Sequence, residues 1–165
     1  MLQVPFTGRS LAAVVLVPVV LLLASSPEGK PDPEPSPEMT PEEVVRVQVE
    51  ALRQNDEPYD GAGIEAAWRF ASPANRRATG PLPRFAEMIE LGYADMLGFE
   101  RAEYGPMRVE GGQAAQWVTL VQADGSRSAY VFGLSRQEGG PYDGCWMTDA
   151  VVRAPESAGD GYTRI

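Results

Sequence analysis

The sequence predicts an α+β domain in which three N-terminal helices pack on a curved, four-stranded antiparallel sheet to form a cone with one open end. Two observations carry this expectation. From Thr40 to Gly92 apolar residues recur at helical spacing in three separate segments, and after Gly98 the spacing changes to two. Helices followed by a strand meander make an α+β domain rather than an alternating one. A hydrophobic fraction of 44% in 165 residues supports one core with extensions.

The first helix opens at "TPEE". Thr40 can cap it, Pro41 suits its first position, and Glu43 stands where a capping box needs it. Val44, Val45, Val47, Val49, Ala51 and Leu52 supply its apolar arc. The acidic, turn-rich stretch from Asn55 to Gly63 ends it. In the second helix Ile64, Ala67, Trp68 and Ala71 form one stripe, and Pro73 is read as its stop. The third repeats the spacing with Leu82, Phe85, Ala86 and Ile89, and Gly92 closes it.

Residues 99–109, 113–122, 127–136 and 145–153 read as four strands, with "VEGGQ" and "ADGS" as turns. If Asp124-Gly125 is a two-residue turn, Thr119 faces Tyr130, Trp117 faces Phe132, and Ala115 faces Leu134. That face is aromatic and is expected to meet the helices. The other face, with Val118 opposite Val131 and Leu120 opposite Ala129, is aliphatic and is expected to meet a second copy as a homodimer.

The ends differ in kind. Residues 11–24, "LAAVVLVPVVLLLA", are too short a run for a membrane span and suit the apolar part of a secretory leader, with Arg9 ahead of it. Ala24 and Ser26 give a small-x-small cleavage pattern, so residues 1–26 are read as a signal peptide, with an uncleaved anchor as the rival. Either places the domain outside the cytoplasm. Residues 27–39 form a proline-rich acidic linker that buries too little to fold. The folded domain is expected at 40–153, and 154–165 as a disordered tail.

Composition removes whole classes of chemistry. The chain has no histidine, so a Ser-His-Asp or Cys-His mechanism cannot be built within it, and the commonest zinc ligand is missing. The single cysteine, Cys145, forms no internal disulfide and beside Trp146 reads as a small buried hydrophobe. Twenty-three acids against 14 bases give a net charge of −9, which disfavours nucleic acid as a partner.

Several stretches together carry a resemblance. "VVRVQVEAL", "FASPANR", "PLPRFAEMI", "GYADML", "RVEGGQAAQWVTLVQADGS" and "CWMTDAVV" come in the order of the domain of unknown function 4864 family, over roughly Thr40 to Arg153. That family is similar to the nuclear-transport-factor-like (SnoaL-like) cone domains, also called cystatin-like. The segments "NDEPYDGAGIEAAW" and "QEGGPYDG" are longer here than the family pattern leads one to expect. The resemblance implies the cone fold and a pocket. It brings no established chemistry, and the wider superfamily spans isomerases, dehydratases and binders without activity.

The candidate pocket residues are Trp68, Tyr93, Trp117, Thr119, Tyr130 and Phe132, aromatic rings with a few hydroxyls. The same residues also suit a plain core. Asp149 interrupts the apolar last strand and is the best candidate proton-transfer group, with Asp60 and Tyr130 as weaker catalytic candidates. Strand parity sets Asp149 opposite Trp146 and so outward. Asp56, Glu57 and Asp60 do not match a calcium loop, because Pro58 and Ala67 stand where ligands are needed. Arg76 and Arg77 could meet an anion, although a solvated loop explains them better. No metal and no cofactor is expected. The function expected is an exported, non-catalytic module that binds a small apolar ligand or an envelope protein. The alternatives are a histidine-free isomerase or dehydratase, and a dimerisation module with a filled cone.

Overall fold

Helical order begins at Thr40, where a capping box closes. The computed structural model describes residues 33–155; the leader, the first part of the linker (27–32) and the tail after 155 lie outside the described residues. Thr40 N donates to the Glu43 carboxylate at 2.7 Å and Glu43 N donates to Thr40 Oγ1 at 3.2 Å, as the sequence pattern requires. Helix α1 (Pro41–Arg53) buries Val44, Val45, Val49 and Leu52 on one stripe. Gln48 lies within that stripe and is equally buried.

Three further helices follow rather than two: α2 (Ala62–Arg69), α3 (Pro73–Thr79) and α4 (Leu82–Gly92). The Ser72-Pro73 pair both ends α2 and starts α3. Ser72 Oγ accepts from Asn75 N at 3.1 Å, and Pro73 occupies the first helical position. α1 and α2 touch at Gly63, where an added Cβ would sit 2.1 Å from the Ala51 carbonyl oxygen. No side chain fits there, which is why α2 can lie directly on α1.

The sheet is antiparallel, with β1 (Arg101–Tyr104), β3 (Gln113–Val121), β4 (Arg127–Arg136) and β5 (Trp146–Ala154) side by side, and β2 (Arg108–Glu110) also paired to β3. There are five strands rather than four because the strand expected at 99–109 breaks at Gly105-Pro106-Met107. Pro106 has no N–H to give the ladder.

The β3–β4 register differs by one residue from the expected one. Asp124-Gly125 belongs to a three-residue loop: Gln122 N donates to Ser126 O at 2.9 Å, and Gly125 takes φ +83°. Trp117 therefore pairs Val131, Val118 pairs Tyr130, and Gln116 pairs Phe132. Tyr130, Phe132 and Leu134 keep their place against the helices, now joined by Val118 and Leu120, all nearly or fully buried. Trp117, Thr119 and Ala115 move to the other face, beside Val131, Ala129 and Gly133. A one-residue slip exchanges the faces of every residue on one strand while leaving the other in place.

β5 carries a second irregularity. Gly133 pairs Ala150 but Leu134 pairs Thr148, so Asp149 is an extra, bulged residue. Parity counted from Trp146 does not pass through it.

One end of the sheet is fastened to the turn after α4. Arg153 grips Asp95 with two hydrogen bonds of 2.7 and 2.8 Å, and the Tyr130 hydroxyl donates to Asp95 at 2.8 Å. Burial pushes the Asp95 carboxyl upward, but hydrogen bonds from Arg153, Ser128 and Tyr130 outweigh it and hold the group well below the usual carboxylate range. The same contact pushes Tyr130 up, through burial first and Asp95 second. A depressed carboxylate adds stability above its unfolded pKa, near ~3.9, and loses it as pH falls through the folded value. Asp95→Asn should cost about 2 kcal/mol at neutral pH. The gap to wild type should narrow below about pH 4, which urea melts across pH would read.

Candidate functional site

A cavity of about 190 Å³ lies between the helices and the inner face of the sheet. Leu52 of α1, Phe85, Met88 and Ile89 of α4, and Phe132 of β4 form its apolar walls. Gln48, Asn75, Thr79, Thr148 and Asp149 give it a polar end, where α3 runs beside β5. Asp149 is the only charged residue of the lining.

The polar end rests on Thr148, which is 1% exposed. Its N–H donates to Phe70 O at 2.9 Å, and its carbonyl accepts from Ser72 N at 2.8 Å and Asn75 Nδ2 at 3.1 Å. Its hydroxyl donates to Gln48 Oε1 at 2.7 Å, and Gln48 Nε2 donates to Ala67 O at 3.0 Å. Every polar atom of Thr148 is therefore engaged, as burial demands. The carboxylate of Asp149, one residue on, makes no hydrogen bond and no ion pair among the described residues. It is half-buried, on a bulge, at the side of the cavity.

The structure brings three of the residues singled out in the sequence to this cavity: Tyr93, Phe132 and Asp149. The others lie elsewhere. Trp117 and Thr119 stand on the opposite sheet face, moved there by the register. Tyr130 is inward but spends its hydroxyl on Asp95 and does not line the cavity. Trp68 lies under the Arg76 guanidinium, 4.3 Å from its ring centre, outside the cavity. Asp60 lines a separate open groove with Asp56, Tyr59 and Glu65. In that groove the Asp56 carboxylate accepts from Gly61 N at 3.1 Å and Asn55 Nδ2 at 2.6 Å, so it serves as a turn anchor.

Arg76 is committed to structure. It donates to the carbonyls of Trp68 and Arg69 at the end of α2 and to the Tyr142 hydroxyl, between the two rings. This caps α2 and leaves little of the guanidinium for an anion. Burial pushes the Cys145 thiol up, with Asp143 and Glu38 adding to it, so it is a poor nucleophile.

Gln48, Asn75, Thr79 and Thr148 are site residues that the sequence reading passed over. Gln48 did leave a signal, a lone amide inside the Val44-Val45-Val49-Leu52 stripe. Thr148→Val would keep the shape but leave Gln48 Oε1 without its donor. We expect a stability loss of about 2 kcal/mol by chemical denaturation.

No curated protein and no solved structure matches the chain. The profile described as Domain of unknown function (DUF4864) matches residues 36–158, a span that takes in every helix and strand described above. The chain belongs to that family, the domain of unknown function DUF4864.

Proposed function

We propose that this protein is an exported cone domain of the SnoaL-like type that holds a small, largely apolar ligand without transforming it. The observation that carries the reading is the cavity, lined mostly by apolar side chains with a group of polar ones among them. Pockets for drug-sized molecules run from about 300 Å³ upward, whereas a cavity of about 150 Å³ holds one benzene. A volume near 190 Å³ therefore suits a single ring with one polar substituent. Binding without turnover is favoured because the catalytic candidates are scattered. Asp149 faces neither Asp60 nor the Tyr130 hydroxyl, and the hydroxyl and amide of the neighbouring Thr148 and Gln48 are already paired. A proton relay needs a second free group, and binding does not.

A panel of ring-sized probes tests the cavity: toluene, benzyl alcohol, benzylamine and benzoate, titrated onto the full chain by calorimetry. At least one should bind saturably at one site, and Thr79→Trp, which places an indole at the polar end, should abolish it. Absence of saturable binding by all four probes would overturn the reading. Export is supported by the apolar run at 11–24 followed by Ala24 and Ser26. Protein recovered outside the cytoplasm should begin at Pro27 on N-terminal sequencing; recovery only inside the cell, with Met1 retained, would refute export.

A further inference from the structure

We infer that the ligand of this cavity is a cation: a small apolar amine whose ring fills the apolar walls and whose ammonium group meets Asp149. The inference rests on the binding reading above and goes further by naming the charge of the ligand.

Three observations converge. The lining contains one charged residue, a carboxylate, and no Lys or Arg. That carboxylate has no hydrogen-bond or ion-pair partner among the described residues, although it is half-buried and lines the cavity together with Phe132, Val151 and Tyr93. Elsewhere the fold pairs acids with Arg side chains: Asp95 takes Arg153, Glu103 takes Arg101 and Arg127, Glu50 takes Arg53, and Glu65 takes Arg69. A half-buried carboxylate in the wall of a cavity, without a partner among the described residues, is free to take a cation supplied from outside.

The bulge strengthens the case. One additional residue in β5 disrupts the ladder at Gly133/Leu134 and sets Asp149 beside the cavity. Alternation counted from Trp146 turns residue 149 away, whereas alternation counted back from Val151, which pairs Phe132, brings it to the cavity side; the bulge reconciles the two. Bulges often re-aim a side chain at a site in this manner. The net charge of −9 acts in the same direction, because it raises the local concentration of small cations and lowers that of anions. An anionic ligand of the same size would meet Asp149 with no compensating base in the lining.

The four probes already named separate this inference from the reading beneath it. Benzylamine, benzyl alcohol and benzoate share one ring and differ in charge. Benzylamine should bind about tenfold more tightly than benzyl alcohol, and benzoate most weakly. In Asp149→Asn the ratio of benzylamine to benzyl alcohol affinity should fall to about one. In Asp149→Lys benzoate should overtake benzylamine. If benzyl alcohol or benzoate binds wild type as tightly as benzylamine does, the cation inference is overturned while the binding reading stands. If none of the probes binds, both fall. The wild-type ratio decides the matter alone, so a variant that fails to fold does not leave it open.

Discussion

The structure depends on Thr148. One residue of β5 receives the end of α2 through Phe70, the start of α3 through Ser72 and Asn75, and the middle of α1 through Gln48. Each of these contacts is a hydrogen bond in a region closed to water, where an unmade bond costs more than a made one contributes. The seam therefore acts as a specificity constraint. It admits one placement of three helices on the edge of the sheet, and a small displacement would leave several buried groups unpaired together. The apolar core supplies the driving force, but Val44, Phe70 and Leu134 would tolerate many similar arrangements.

That constraint also explains why there is a cavity. α1 and α2 are drawn together at Gly63, and the α2–α3 corner is drawn onto β5 at Thr148. At the far end, Asp95 ties the turn after α4 to Arg153 and Tyr130. α4 is thus fixed at its end by the Asp95 contact and at its beginning by the short connection from α3. Between these anchor points Phe85, Met88 and Ile89 span the gap without filling it. Space is left where polar groups hold the elements apart at fixed distances, because those groups cannot slide inward without losing their partners.

The sequence revealed the parts of this fold that depend on local chemistry. The capping box at Thr40, the stripe of α2, the start of α4 and the change of period after Gly98 all follow from neighbours within a few residues. What it concealed depends on single-residue offsets. Asp124-Gly125 permits a two-residue or a three-residue loop, and only tertiary packing chooses between them. That choice moved Trp117 and Thr119 off the inner face and left Tyr130 and Phe132 on it. The bulge at Asp149 is the same kind of event, since nothing in "CWMTDAVV" marks where the alternation skips. Ser72-Pro73 was visible, but one dipeptide can both end a helix and begin the next. Of the site, the aromatic contribution of Tyr93 and Phe132 was legible. Of the polar end only Asp149 was, because Gln48, Asn75 and Thr148 come together from positions distant in sequence.

Asp149 and Thr148 show how neighbouring residues can take opposite roles. Thr148 is fully paired and holds the fold; Asp149 is unpaired and contributes nothing to holding it. A fold selected for stability alone would fill residue 149 with an aliphatic side chain, as Val151 and Val152 do two and three residues further on. A carboxylate that serves the exposed surface is ion-paired there, as Glu103 is with Arg101 and Arg127 near the other edge of the sheet. A lone carboxylate that lines a cavity with Phe132 and Tyr93 fits neither case. The neighbouring Thr148 hydroxyl and Gln48 amide are engaged with each other and with Ala67, and Asp149 has no ion-pair partner among the described residues. What remains for it is attraction, and the charge it attracts is positive.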